Sequence, residues 1–248
     1  MCDRCDQRLS LAFVPSRRGL LLGASAMLIS SLARAKEDRK EDRKEKKPPK
    51  PQNVISPEAA LERLKQGNER YVQGVARRHD FRHERKALAS GQNPYAAILG
   101  CADSRIAPEY AFDSGRGDLF VCRVAGNFAN PESVASLEYA VSVLATPAIL
   151  VLGHDACGAV DATIKSLKDN TTLPGHLPSL VEGLAPAVKA VSGQAGDVLA
   201  NAIKQNVIDT VATLKSATPI LSAAVDQGKL KVAGGIYRLG SGKVDMVA

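Results

Sequence analysis

Two short segments carry the residues best suited to chemistry, Gly100-Cys101-Ala102-Asp103-Ser104-Arg105 and Gly153-His154-Asp155-Ala156-Cys157-Gly158. Each follows an apolar run, Ala96-Ala97-Ile98-Leu99 in the first case and Ala148-Ile149-Leu150-Val151-Leu152 in the second. One cysteine from the first segment and an H-x-x-C pair from the second would present two sulfurs and one nitrogen to a single ion. Soft thiolates with an imidazole favour zinc over magnesium or manganese, and three protein ligands leave a coordination position for water, the mark of a catalytic site. Two other uses of the same residues stay open at this point. Cys101 and Cys157 could join in a disulfide, or Cys157 could act as a thiol nucleophile served by His154. Cys122, in the run Leu119-Phe120-Val121-Cys122, reads as a core residue.

The elements needed to position these residues are legible in the pattern. Ser56-Pro57-Glu58 is a helix start, with an N-cap serine and proline at the first helical position, and apolar residues at helical spacing carry that helix to about Gln73. The runs at 96–99, 119–122 and 148–152 are near-continuously apolar, as expected of strands covered on both faces, and 231–237 is a fourth run. Helical patterns lie at 132–144, 158–167, 180–191, 198–215 and 219–227. Strands alternating with helices predict an α/β fold with a mainly parallel sheet flanked by helices. In such sheets chemistry collects at the carboxyl ends of the strands, where both segments fall.

Composition excludes several classes. With 248 residues, 45% hydrophobic, 24% charged and no 20-residue apolar run, the chain is not collagenous, coiled-coil or a polytopic membrane protein. The net charge of +7 would suit a nucleic-acid binder, but residues 1–50 hold 13 basic against 7 acidic residues, leaving 51–248 nearly balanced. A nucleic-acid face needs concentrated positive charge, so no such partner is expected.

Residues 1–35 read as an export signal of twin-arginine type. Arg17-Arg18 precedes a weakly polar stretch from Gly19 to Leu32, and Ala33-Arg34-Ala35 has the form of a cleavage site. Fourteen residues would rise only about 21 Å, short of the roughly 30 Å hydrocarbon core, so no membrane span is expected after signal removal. Residues 36–53, with Glu-Asp-Arg-Lys twice in tandem and then Lys46-Lys47-Pro48-Pro49-Lys50-Pro51, read as a charged, proline-rich disordered linker. The functional domain is therefore expected over 54–248, in an exported, periplasmic protein. Cys2 and Cys5 would leave with the signal, and the odd number of cysteines then remaining argues against a full disulfide framework.

The motifs Cys101-Ala-Asp103-Ser-Arg105 and His154-Asp-Ala-Cys157-Gly158 resemble the C-x-D-x-R and H-x-x-C-G signatures of the β-class carbonic anhydrases. Similarity runs from about Ile55 to Val247 and includes Gly67-Asn-Glu-Arg-Tyr71, Gly117-Asp-Leu-Phe-Val-Cys-Arg123 and Ser136-Leu-Glu-Tyr-Ala-Val141. The resemblance implies reversible hydration of carbon dioxide to bicarbonate and a proton by attack of zinc-bound hydroxide. It implies one zinc per subunit on Cys101, His154 and Cys157, with Asp103 and Arg105 as the catalytic dyad beside it. It further implies that Gln92 binds substrate oxygen, that Gly158 supplies a backbone N–H, and that Phe120 forms an apolar pocket wall across a dimer interface. A homodimer or dimer of dimers follows, with an arm helix starting near Ser56. The chain has no tryptophan, so a second, inhibitory bicarbonate site of the kind that uses one is not expected.

Elementary chemistry gives the dyad a task. Two thiolates formally neutralise a zinc dication and make its water less acidic than a three-histidine site would. A carboxylate beside the open position can accept a hydrogen bond from the nucleophile and aim it, provided it does not itself ligate the metal. Arg105 can hold Asp103 in a bidentate pair, ionised and away from zinc. Of the other histidines, His79 and His83 sit in a polar run expected to face solvent, and His176 reads as loop. Three rivals remain: a related hydrolase acting on carbon disulfide or carbonyl sulfide, a non-catalytic zinc protein, and a periplasmic thiol protein.

Overall fold

The helix expected after Ser56 forms as α1 (Pro57–Val72), with the Ser56 hydroxyl accepting from the Ala59 N–H at 3.1 Å. The computed structural model describes residues 53–78 and 80–248, without the side chains of Phe81 and His83. The expected signal, all but the last residue of the expected linker, and His79 lie outside the described residues. Along α1 the buried positions are Ala60, Leu64, Gly67 and Asn68, a helical stripe. Gly67 marks a close approach, since a Cβ there would stand 2.0 Å from the Phe112 carbonyl oxygen. Tyr71 and Val72, at the end of the helix, are exposed.

After α2 (Phe81–Ala87) and a short 3₁₀ turn come β1 (Ala96–Gly100), α3 (Pro108–Ala111), β2 (Leu119–Arg123), α4 (Pro131–Ser142) and β3 (Ala148–His154). Then follow α5 (Gly158–Asp169), α6 (Pro178–Ala190), α7 (Val198–Ser216), α8 (Ile220–Asp226), β4 (Lys231–Tyr237) and β5 (Val244–Met246). The strands form one sheet in the order β2-β1-β3-β4-β5. The first four run parallel, and β5 adds an antiparallel edge through Ile236 opposite Asp245.

Alternate residues feed two cores. Ala97, Leu99, Ile149 and Val151 face a layer containing Leu137, Val160, Leu184, Val207 and Leu214 from α4 to α7. Ala96, Ile98, Ala148 and Leu150 face Ala60 and Leu64 of α1 with Phe112. β1 and β3 are buried throughout, which explains their unbroken apolar character. β2 is only half-buried because it is the edge of the sheet in a single chain, and its apolar run did not show that. Asn68 ties the second core together: its Nδ2 donates to the carbonyls of Ala111 and Gly242, and its Oδ1 accepts from the Val244 N–H.

Candidate metal centre

Cys101 follows the last residue of β1 and His154 is the last residue of β3. These strands are neighbours, with Gly100 opposite Leu152, so the two side chains emerge at one end of the sheet. A tight turn then delivers Cys157 as the N-cap of α5, with Ala156 in the left-handed region at φ 51°. A non-glycine residue there is uncommon and marks a turn whose surroundings impose it. The ligand atoms of Cys101, His154 and Cys157 lie within 4.8 Å of one another, and all three residues are buried.

Polarity at this cluster calls for a cation. His154 Nδ1 lies 2.8 Å from the Asp155 carbonyl, which makes Nδ1 the donor and leaves Nε2 with a lone pair. Nε2 is buried and has no hydrogen-bond partner, an arrangement that a metal ligand explains. Burial pushes the imidazole pKa down, but the Cys101 sulfur and the Asp155 carbonyl outweigh it and hold the value up. The sulfurs compete for one proton: the bond from Cys157 pushes the Cys101 thiol down, and the same contact, with burial, pushes Cys157 up. A dication relieves that conflict, because both sulfurs can then be thiolates. Cys101, Cys122 and Cys157 are all free, in keeping with ligation rather than a disulfide. The donor set of two sulfurs and an imidazole fits zinc.

The loop after Cys101 brings in the acid. Asp103 Oδ1 accepts from Arg105 Nε at 2.9 Å and from the Arg105 backbone N–H at 2.9 Å, while Oδ2 accepts from Nη2 at 2.7 Å. This pairing holds the Asp103 carboxyl far below the usual carboxylate range, against a smaller opposing effect of burial. Oδ2 stands 3.8 Å from His154 Nε2, so the carboxylate borders the cluster.

Residues given no role by sequence reasoning hold this loop. Arg123, ending β2, donates through Nε to the Cys101 carbonyl at 2.8 Å and through Nη2 to the carbonyls of Asp103 and Ile106. Its place in a family motif was the available signal, but one residue gripping three carbonyls is visible only after folding. Asp155 secures the other loop, donating its N–H to the Tyr237 carbonyl and accepting the Leu239 N–H at Oδ1.

Gly158 opens α5, and the space beside its Cα is empty to 4 Å. Gln92 and Phe120 are not gathered with the cluster in the same chain. Gln92 is exposed and precedes β1, while Phe120 pairs with Ala97, toward the strands' amino ends. Four residues of strand separate that level from Cys101, about 13 Å. Cys122 is half-buried against the first core, and burial pushes its thiol pKa up. His176 lies in the loop before α6.

The carbonic anhydrase family model matches residues 96–244. Carbonic anhydrase 2 of Mycobacterium tuberculosis is 40% identical over 189 residues, covering 76% of this chain and 91% of that protein. The carbonic anhydrase of Mycolicibacterium smegmatis is 38% identical over 193 residues, covering 77% and 93%. Among solved structures, the β-carbonic anhydrase CcaA superposes with a TM-score of 0.58 at 29% identity, covering 77% of this chain and 98% of that one. With a buried two-cysteine, one-histidine cluster at the strand ends of the matching fold, this chain belongs to the β-carbonic anhydrase family, zinc enzymes that reversibly hydrate carbon dioxide.

Proposed function

We propose that Cys101, His154 and Cys157 hold one catalytic zinc per subunit, and that Asp103, Arg105 and Gly158 complete the protein's share of the hydration site. The observation that carries this reading is the buried, unpartnered His154 Nε2 close to both sulfurs. Zinc bound there supplies a Lewis acid that lowers the pKa of water from 15.7 toward about 7. Asp103 Oδ2, charged and bordering His154 Nε2, accepts a hydrogen bond from the attacking water and orients its lone pair toward carbon. Arg105 occupies both oxygens of Asp103 and restrains the carboxylate from becoming a fourth ligand. The Gly158 N–H belongs to the first turn of α5, where backbone donors lack helical partners, and it is suited to an oxygen of the forming bicarbonate.

Gln92 and Phe120 serve the site of a second copy, which makes the working unit a homodimer or a dimer of dimers. Three features support this: their distance from the cluster in their own chain, the unpaired edge of β2, and the exposed Tyr139 on α4 and Val143 at its C-cap. Tyr139 stacks at a tilt on Phe120 with ring centroids 6.3 Å apart, so the exposed patch runs into that residue. The twin-arginine pair and the Ala-x-Ala ending support export, and the enzyme then works in the periplasm.

Stopped-flow carbon dioxide hydration from pH 6.5 to 9, with zinc quantified and Cys101→Ala as control, tests the reading. Activity that tracks zinc and disappears in the variant is expected. A zinc-replete protein silent across that range overturns it.

A further inference from the structure

We propose that Asn206, on α7, is a positioning residue that aims a backbone N–H at the Cys101 sulfur and so limits how much charge that thiolate gives the metal. This rests on Cys101 being a zinc ligand. The connection has two links. Asn206 is buried on α7, and its Nδ2 donates to the Gly126 carbonyl at 2.8 Å, across 80 residues of sequence. The Gly126 N–H in turn donates to Cys101 Sγ at 3.2 Å.

The direction of that N–H is a matter of turn geometry. The Asn127 N–H bonds the Val124 carbonyl at 2.9 Å, closing a four-residue turn, and Gly126 in its third position has φ 87°. That φ is what a type II turn requires, and glycine meets it at no steric cost. In such a turn the Gly126 N–H belongs to the central peptide, which points to opposite sides in types I and II. The turn type therefore decides whether the N–H faces the sulfur. Two contacts hold it. Leu184 packs where a Gly126 Cβ would stand, 2.7 Å from Leu184 Cδ1, and Asn206 holds the peptide that follows. Val124 anchors the other end, its N–H donating to the Gly100 carbonyl one residue before Cys101.

An N–H···S bond draws electron density from a thiolate. With two thiolates in the donor set the metal's positive charge is formally cancelled, so a donor on one sulfur restores part of its Lewis acidity. Partners of this kind, which act through a ligand, orient it and tune the metal. The task falls to Asn206 because its amide can donate from a dry layer, where loss of the bond leaves a buried carbonyl unpaired.

The test uses full-length protein with cobalt(II) in place of zinc and reads the sulfur-to-metal charge-transfer band in Asn206→Leu and Asn206→Ser. Freed from its N–H, the sulfur holds its electrons less tightly, so the band moves to longer wavelength in both variants. With the turn no longer fixed, Cys101 also loses its held orientation, so zinc, followed by chelator competition, dissociates about 10-fold more readily. Val211→Ala, a buried truncation on the same helix that faces Gly234 of β4, keeps the wild-type band. Asn206→Ser retains a small polar side chain too short to reach Gly126 and carries the test if the leucine variant does not fold. An unchanged band in a folded Asn206 variant, or the same shift in Val211→Ala, overturns the proposal. A Cys101→Ser protein that keeps the full charge-transfer intensity overturns instead the reading of Cys101 as a ligand.

Discussion

The Asp103 carboxylate and the Arg105 guanidinium meet through two parallel hydrogen bonds, Nε to Oδ1 at 2.9 Å and Nη2 to Oδ2 at 2.7 Å. The guanidinium is half exposed, while the carboxylate is mostly covered and reaches toward His154. Asp103→Asn is expected to lower carbon dioxide hydration by about 10²-fold, the lower range for a positioned acid or base. Because Arg105 depresses the Asp103 pKa, the carboxyl stays charged from pH 6.5 to 9, and the loss should be the same factor at both ends. Arg105→Lys keeps the charge without the fork and should fall between wild type and Asp103→Asn. Stopped-flow rates at the two pH values check all three statements.

Removing the metal should abolish activity and leave the fold. Cys101 and Cys157 sit at the border of the first core, but Ile98, Leu99, Leu150 and Val151 are buried in two apolar layers that draw on the strands and most of the helices. Chelator-treated protein is expected to keep its far-ultraviolet dichroism and regain hydration on adding zinc, but not magnesium, which prefers oxygen ligands. Cys157→Ser should reduce the bound zinc measured by atomic absorption after gel filtration.

The proposed sharing of Gln92 between subunits predicts complementation. A hybrid of one Cys101→Ala subunit and one Gln92→Ala subunit contains one site with intact metal ligands facing an intact Gln92. Purified through two different tags, it should exceed both parental homodimers in hydration rate. Activity no higher than the Gln92→Ala parent would place Gln92 outside the partner's site.

Asp113 provides a pH test of stability. Its carboxylate is buried and accepts from Arg70 Nε at 2.6 Å and from the Arg77 N–H at 2.8 Å. Burial opposes ionisation, but these partners outweigh it and lower the pKa. A depressed folded pKa stabilises the protein above the unfolded value of about 3.9, and that stability is lost as pH falls through the folded value. Asp113→Asn should therefore cost about 1–3 kcal/mol at pH 7, with the difference shrinking below pH 4. Urea unfolding at pH 7 and pH 3 measures both.

The proposed export would depend on the arginine pair. If the proposal holds, replacing Arg17 and Arg18 together by lysine should leave the full-length chain in the cytoplasm, whereas the unaltered chain should be processed after Ala35 and recovered from the periplasm. Fractionation with amino-terminal sequencing distinguishes the two.

Local pattern made much of this protein readable. Continuous apolar runs gave β1 and β3 because both are covered on two faces, and the Ser-Pro-Glu start gave α1 because capping is a short-range interaction. The antiparallel β5 escaped notice because three residues are too few to show a period, and α2 because Phe81–Ala87 is polar. The edge position of β2 is a property of strand order, which no single run encodes.

For the site, the sequence by itself determined the donor types, their order and their position after apolar runs, since these follow from side-chain chemistry and from chain direction in a parallel sheet. Tertiary structure decided the rest. The pairing of β1 with β3 brings Cys101 to His154, and the Asp155 carbonyl selects which imidazole nitrogen is left for a metal. Arg123 and Asn206 act through backbone carbonyls whose directions depend on turns 20 to 80 residues away in sequence. Hydrogen-bond direction is set by the folded backbone, so these roles exist only once distant segments have packed together.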